Sequence, residues 1–572
     1  MNFFLNFKSL FEKKDYNKII IIIFLILAVT FAEILGIAAI IPFITVILAP
    51  ERFENIEFMK FFVTINSYNH NQKLIIFSVI FFSIYLLKNI FIIFSNKFIY
   101  QFIYSFKEKT FIKLLELYLH QKFSFYNKKT FTEISNNLLN EVGQVATNYV
   151  RPILSLVSEL TICLSIILLA IALGFYNIFF IALIFILCVS IILKILNKKI
   201  KALSQQRVKS NEGIMQLIFE FILGIKEIIL SGNPFGLIKK LKDNQIHLKK
   251  IDINIDVLRL IPKSILEVFV ILSFLMAVIY LNRINTPPSD IFVILGFYLA
   301  AAYRILPSLN IIFISYQSIK FSKASLAKIQ EDLKLQKEIV YLQKDKKLSF
   351  AKNILLKHVT FKYNNDIILK DINLTINKKE VVGICGTSGS GKSTLLNIIS
   401  NLYEPTSGEL LIDNHKLNNA HDVRLYQNLL SYISQDTFLI NDSLKNNIIF
   451  GTTGDFNEQK FLAAIQFACL DSFLNSLKDG SEAKISLISK NISTGQKQRI
   501  ALARSYYNDK DILIFDEATN ALDEENEKKI IQNIIQLKQQ GKTIIIVSHN
   551  ESNLFNCDKV YKINNNGIVS IK

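Results

Sequence analysis

Up to about residue 320 the apolar residues come in long unbroken runs. Beyond it they come in short strand-like bursts between polar helical stretches. A helix that crosses a bilayer needs roughly 20 apolar residues, and six runs qualify: 19–48, 74–98, 152–173, 176–196, 258–282 and 290–317. The first is too long for a cleaved leader and no small-residue cleavage site follows it, so it is expected to stay as a span. Between the spans, 99–150 and 200–257 keep helical periodicity without Gly- or Pro-rich breaks. That predicts helices running on past the membrane and turning back through short crosspieces near Tyr126–Thr132 and Gly213–Gly224. Ahead of the first span, Phe3, Phe4, Leu5, Phe7, Leu10 and Phe11 mix with Lys8, Lys13 and Lys14, the pattern of a helix lying in the membrane interface. The segment Ser322–Lys347 is polar and Lys-rich and reads as a linker. The expected organisation is an all-α transmembrane domain of six helices over 1–325, a linker over 326–347 and an α/β domain over 348–572.

Composition and charge refine this picture. Hydrophobic residues make up 51% of the 572 and the mean hydropathy is +0.34, too apolar for a soluble protein of this length. Sixty-five Lys and Arg against 47 Asp and Glu leave a net charge of +18. Nucleic acid, acidic lipid or a loop bias could each account for such a surplus. The lysines gather at the N-terminus and in the two long inter-span stretches, while 49–73, 174–175 and 283–289 carry few basic residues. The positive-inside rule then places both termini and both long stretches in the cytoplasm, and the charge needs no nucleic acid. Cys163, Cys188, Cys385, Cys469 and Cys557 are scattered without CxxC spacing, which reads as reduced thiols and no metal site.

The chemistry lies in the second domain. The apolar run Val381–Cys385 leads into Gly386-Thr387-Ser388-Gly389-Ser390-Gly391-Lys392-Ser393-Thr394 and then a helical pattern. This is a P-loop in its strand–loop–helix context. Its glycines let backbone N–H groups wrap phosphates at a helix N-terminus; Lys392 neutralises the β- and γ-phosphates and Ser393 offers a hydroxyl to Mg²⁺. A second apolar strand, Ile512–Phe515, ends in Asp516-Glu517. Asp516 suits Mg²⁺ and Glu517 is placed to act as general base on a water. On its own that acidic pair reads as an exposed strand end; the P-loop and the apolarity of the strand tell against it.

The remaining marks point to one family. Ile492-Ser493-Thr494-Gly495-Gln496-Lys497-Gln498-Arg499 resembles the LSGGQ signature of ABC proteins. The resemblance implies an adenine-stacking Tyr363, a Q-loop Gln435 serving Mg²⁺ and catalysis, a D-loop Asp523 and a switch His549. It also implies that Ser493, Gly495 and Gln496 of one subunit cap the ATP held by its partner, so a homodimer is expected. Thr494 departs from the family glycine, as Ser489-Lys490-Asn491 departs from the usual lead-in. A left-handed backbone at 494 would disfavour a β-branched residue, whereas a helical or extended one would accept it.

Ionisable residues inside spans are rare and face protein or water. Glu33, Lys88, Glu159, Glu267 and Arg304 lie on five different helices, each roughly 21–23 Å below the expected external helix end at 1.5 Å per residue, with Lys263 about one turn further in. They either pair to pin the helices together or face a cavity that holds an anion; the two can coexist. The stretches Phe31-Ala32-Glu33, Ile40–Thr45, Tyr303–Asn310 and Ser315-Tyr316 look like the helices of the bacterial flippase for lipid-linked oligosaccharides in the N-glycosylation pathway. That resemblance implies flipping of a polyprenyl-diphosphate glycan across the inner membrane. It makes Phe53, Ile56, Met59 and Val63 the stripe of an external helix, and Lys88, Lys263 and Arg304 the diphosphate site. A peptide or drug exporter, and a regulatory or channel-like protein with little hydrolysis, are the alternatives.

Overall fold

The computed structural model describes residues 11–39, 70–172, 177–283, 288–339, 350–452, 454–485, 492–549, 554–564 and 566–572. The far end of the first expected span, the external stripe over 53–63 and the lead-in over 489–491 lie outside them. Two compact units emerge: 1–119 with 129–336, and 120–128 with 337–572.

The first unit is built of long helices: α1 (Tyr16–Ala38), α2 (His70–Leu119), α4 (Phe131–Ala172), α5 (Asn177–Leu223), α7 (Phe235–Arg283) and α8 (Pro288–Phe321). The short α3 (Phe123–Lys128) belongs to the other unit, and α6 (Ile225–Ser231) joins α5 to α7. Five helices among the described residues are long and apolar enough to cross a membrane. At 1.5 Å per residue, the 50 residues of α2 and 47 of α5 reach about 70–75 Å, over twice a bilayer core of about 30 Å. These helices therefore run far out of the membrane. The second turn-around is α6, just beyond the expected Gly213–Gly224, because helical periodicity holds unbroken to Leu223.

A buried polar seam ties α2, α4 and α5 together at one end. Asp332, near the end of α9 (Lys323–Leu333), accepts from Tyr118 Oη at 2.5 Å and Asn137 Nδ2 at 2.8 Å and pairs with Lys129. Arg207 meets the fully buried Glu141 at 3.2 Å. Since α9 is packed into this unit, the domain boundary falls at 336/337 rather than at 325: Ser325, Leu326, Ile329 and Asp332 bury one face of a segment that reads as polar.

The second unit holds two sheets. One is antiparallel, ordered β2-β1-β4-β5, from β1 (Asn353–Tyr363), β2 (Asp366–Asn377), β4 (Ser407–Ile412) and β5 (His415–Lys416). The other is ordered β12-β11-β3-β10-β9-β6, from β3 (Val381–Gly386), β6 (Leu430–Ile433), β9 (Ile512–Asp516), β10 (Thr543–Val547), β11 (Lys559–Asn564) and β12 (Gly567–Ser570). β7 (Asp442–Ser443) and β8 (Lys484–Ile485) pair separately. Strands β11, β3, β10, β9 and β6 are parallel. Ile384, Ile512, Ile514, Ile544 and Ile545 are fully buried, which is why their strands read as continuous apolar runs.

Candidate functional site

The chemistry-bearing loops converge because they leave the same, carboxyl edge of the parallel sheet, where such sheets bind ligands. The P-loop leaves β3, Asp516 and Glu517 end β9, and His549 follows β10. Gly391 takes φ +101° as the N-cap of α10 (Lys392–Ile399), and a Cβ there would meet Leu369 at 3.0 Å. A side chain would be strained both by that backbone and by that contact. Lys392 is buried, its Nζ donating to the carbonyls of Gly386 and Thr387 at 2.9 and 3.0 Å.

Two features fit a nucleoside triphosphate with magnesium. Ser390 Oγ, inside the P-loop, is buried without a protein partner, a cost that a phosphate oxygen would relieve. Asp516 is buried, accepts from Tyr432 Oη at 2.9 Å and lies beside Ser393; burial pushes its carboxyl above the usual range. Among the described residues no three His, Cys, Asp or Glu cluster as a metal cage. Mg²⁺ asks for no such cage, since it takes one or two protein ligands beside phosphate oxygens. Gln435 lies exposed after β6 and makes no side-chain bond to Ser393 or Asp516 among the described residues.

Glu517 is 7% exposed and sits at φ +51°, a left-handed conformation that is strained for a residue with a Cβ. Its N–H donates to Val547 O at 3.1 Å. His549 Nε2 lies 2.5 Å from Oε1, and Asn520 Nδ2 donates to Oε2 at 3.0 Å.

The signature forms the start of α11 (Thr494–Asn508). Ser493 is its N-cap and exchanges bonds with Gln496 in a capping box: Gln496 N to Ser493 Oγ at 3.2 Å, Ser493 N to Gln496 Oε1 at 2.9 Å. Thr494 is the first helical residue and is not left-handed, so the β-branched side chain is accommodated. Gly495 is the demanding position. A Cβ there would come within 2.7 Å of Ala521 O, and Gln498 Oε1 accepts from Ala521 N at 3.2 Å. Asp523 caps α12 (Glu524–Gln536) through Asn526 N at 3.3 Å, and bonds from Asn526 hold its carboxyl below the usual range.

Tyr363 closes β1 beside the P-loop helix. Its ring stands edge-on to Phe361 and Tyr403, with centroids 5.0 and 5.7 Å away, and its hydroxyl lies beside Tyr403 and Thr394. Burial, and then Tyr403, push its hydroxyl up to about 12. Crosspiece α3 packs here as well: Phe123 lies 5.5 Å from the Tyr403 ring, Asn127 Nδ2 donates to Tyr403 Oη at 2.6 Å, and Lys122 pairs with Glu404 at 2.7 Å. Sequence reasoning missed Asn127, Tyr403, Tyr432 and Asn520. Only Asn520 carried a signal, lying between Glu517 and Asp523.

In the membrane unit, Glu33 meets Lys88 Nζ at 3.1 Å and Arg304 Nε at 3.0 Å, and Arg304 reaches Glu159 at 3.4 Å. Gly36 presents only a hydrogen to the Lys88 stem; a Cβ there would lie 3.4 Å from Cδ. The four charges sum to zero. Lys263 and Glu267 stand apart from them, paired with each other at 3.8 Å on α7 and half-exposed. Of the expected layer of five, four therefore form one cluster, while Glu267 pairs instead with Lys263 on its own helix.

Comparison with known proteins follows these lines. Residues 369–520 match the ABC transporter model and 19–317 the ABC transporter transmembrane region. The chain is 38% identical over 219 residues to a toxin RTX-III translocation ATP-binding protein of Actinobacillus pleuropneumoniae. The match spans 38% of this chain and 30% of that one. It is 40% identical over 216 residues to a multidrug export ATP-binding/permease protein of Staphylococcus aureus, spanning 37% of each. The aligned stretch thus covers only about a third of each relative's length. A bacterial Atm1-family ABC exporter with ATP bound shares the fold at TM-score 0.79 over 97% of this chain and 94% of that one, at 17% identity. With more than half of its length matched by the transmembrane model and a P-loop domain following, the chain belongs to the ABC transporter family, as a multi-pass membrane domain joined to an ABC ATPase domain.

Proposed function

We propose that the chain is one half of a homodimeric ATP-driven exporter of the bacterial inner membrane, with both termini in the cytoplasm. The observation that carries the reading is the convergence of Lys392, Ser393, Asp516, Glu517 and His549 at one sheet edge. The family uses ATP with Mg²⁺; when bound, Mg²⁺ neutralises charge on the β- and γ-phosphates. Ser393 and Asp516 would hold it, with Gln435 joining them, while Lys392 and the P-loop amides orient the phosphates. Glu517 takes the proton of the water whose oxygen bonds the γ-phosphorus, as the bond to the β–γ bridging oxygen breaks and ADP leaves. Replacing Glu517 by Gln in the purified full chain is expected to lower ATPase activity at least 100-fold, and an unchanged rate would refute this assignment. Thr494, the one reason to expect a regulatory protein with little hydrolysis, sits on helical backbone and gives that alternative no support.

A second copy of the chain fits two features. The N-terminus of α11 exposes Ser493 and Thr494, as a group that caps a partner's nucleotide must. Crosspiece α3 packs Phe123 on Tyr403 of its own ATPase unit, while α6 and its flanks expose Ile229, Leu230 and Phe235 at 70–76%, an apolar cluster well beyond the membrane that calls for a partner.

For the cargo we propose a polyprenyl-diphosphate-linked glycan moved to the outer leaflet, resting on the resemblance of the transmembrane stretches. In this reading Lys88 and Arg304 exchange carboxylate partners for diphosphate, and half-exposed Lys263 draws the head group in. A neutral charge cluster, together with relatives named for multidrug and toxin export, favours a second reading: export of an apolar or peptide cargo without phosphate. Stimulation of ATPase activity by a polyprenyl diphosphate, lost in Lys88→Ala and Arg304→Ala, supports the first; stimulation by drugs alone supports the second.

A further inference from the structure

Beyond the residues assigned above, the loop after β9 holds a group that reaches the reacting end of Glu517. Three supports fix that residue. Its N–H is bonded to Val547 O at 3.1 Å, Oε1 is met by His549 at 2.5 Å, and Oε2 accepts from Asn520 Nδ2 at 3.0 Å. The backbone at Glu517 is left-handed, φ +51°, so the side chain leaves the strand in a direction that only maintained contacts preserve. His549 cannot serve as a permanent support and also turn to a γ-phosphate. Asn520 lies three residues along the same loop, and its N–H closes the turn back to Glu517 O at 3.4 Å. Its support therefore moves with Glu517. With Asn520 occupying Oε2, the lone pairs of Oε1 are the ones that face a water once His549 departs.

We infer that Asn520 is the positioning residue of the general base, holding Oε2 through the cycle so that Oε1 is the oxygen that receives the proton. The inference rests on Glu517 being that base. A misaimed base costs up to about 100-fold, and the amide makes no claim on nucleotide affinity.

The test uses the purified full chain with Asn520→Leu and Asn520→Asp, both close to Asn in shape and both at an exposed position. Loss of the donor in Asn520→Leu is expected to lower kcat about tenfold or more with KM for ATP within about twofold. Asn520→Asp, which sets a second carboxylate against the first, is expected to fall further. A fluorescent ATP analogue should bind all forms alike. If Asn520→Asp retains the wild-type kcat, or if kcat and ATP affinity fall together, the assignment is overturned. Glu517→Gln run alongside separates the two layers. A dead Glu517→Gln with a fully active Asn520→Leu removes only the role of Asn520; an active Glu517→Gln removes the base assignment and this inference with it.

Discussion

Tyr403 stands edge-on to Tyr363, centroids 5.7 Å apart and ring planes at 88°, while Asn127 Nδ2 donates to Tyr403 Oη at 2.6 Å and the Tyr363 hydroxyl lies beside Tyr403 and Thr394. A chain of contacts thus links crosspiece α3 to the first turn of the P-loop helix. Asn127→Ala should cut cargo-stimulated ATPase activity severalfold while leaving the basal rate within about twofold, since one neutral hydrogen bond is worth about 1 kcal/mol. Tyr403→Phe, which keeps the ring and drops the hydroxyl, should do the same. Equal stimulation in wild type and both variants would show that the chain of contacts carries no coupling.

The intramembrane cluster gives a stability test that separates pinning from cargo binding. Glu33 serves two cations at once, so Glu33→Gln leaves Lys88 and Arg304 with one carboxylate between them. Removing one member of a buried ion network costs about 3–5 kcal/mol. The melting temperature in detergent should drop clearly for Glu33→Gln and barely for Lys263→Ala, whose partner lies on the same half-exposed helix face. A similar drop in both would refute the division into cluster and separate pair.

Asp516 sets a pH dependence whose sign follows from its raised pKa. A carboxyl raised in the folded state binds protons there more readily than when unfolded. Its contribution favours folding at low pH and declines as pH rises through the folded value. Asp516→Asn should therefore raise the melting temperature of the nucleotide-free protein at pH 7, with the gain shrinking toward pH 5. Mg²⁺-dependent turnover should be lost at both. Calorimetry with and without Mg·ATP checks both halves.

The ATP site was legible in the sequence because its parts are local: a glycine loop between a strand and a helix, and a carboxylate pair ending an apolar strand. What could not be read is set by long-range packing. Tyr403 and Asn127 are 276 residues apart in the chain, and neither neighbourhood advertises the other. The long helices followed from apolar length, but the partners of Lys88 and Arg304 did not. Depth in the membrane ranks Glu267 equally with Glu33 and Glu159, while helix rotation decides which charges meet. The domain boundary slipped for a similar reason: α9 is polar on one face and buries the other.

The signature offers the sharpest paired substitution. Positions 494 and 495 are neighbours in the first turn of α11, yet they face opposite demands. Thr494 is exposed on helical backbone, so Thr494→Gly restores the family residue at a local cost of only a few tenths of a kcal/mol in helix propensity, and ATPase activity should stay within about threefold. Gly495 lies against the backbone of the following loop, where an added methyl would meet Ala521 O at 2.7 Å. A carbonyl cannot swing aside as a side-chain tip can, so Gly495→Ala must push α11 off the loop that carries Asn520 and Asp523. Turnover should fall at least tenfold, and ATP-dependent dimerisation, followed by light scattering of Glu517→Gln with and without Gly495→Ala, should weaken in parallel. ATP binding to the monomer, proposed above to rest on Lys392 and the P-loop, should be untouched. If Thr494→Gly proves the more damaging of the two, the threonine hydroxyl is itself a working part of the signature.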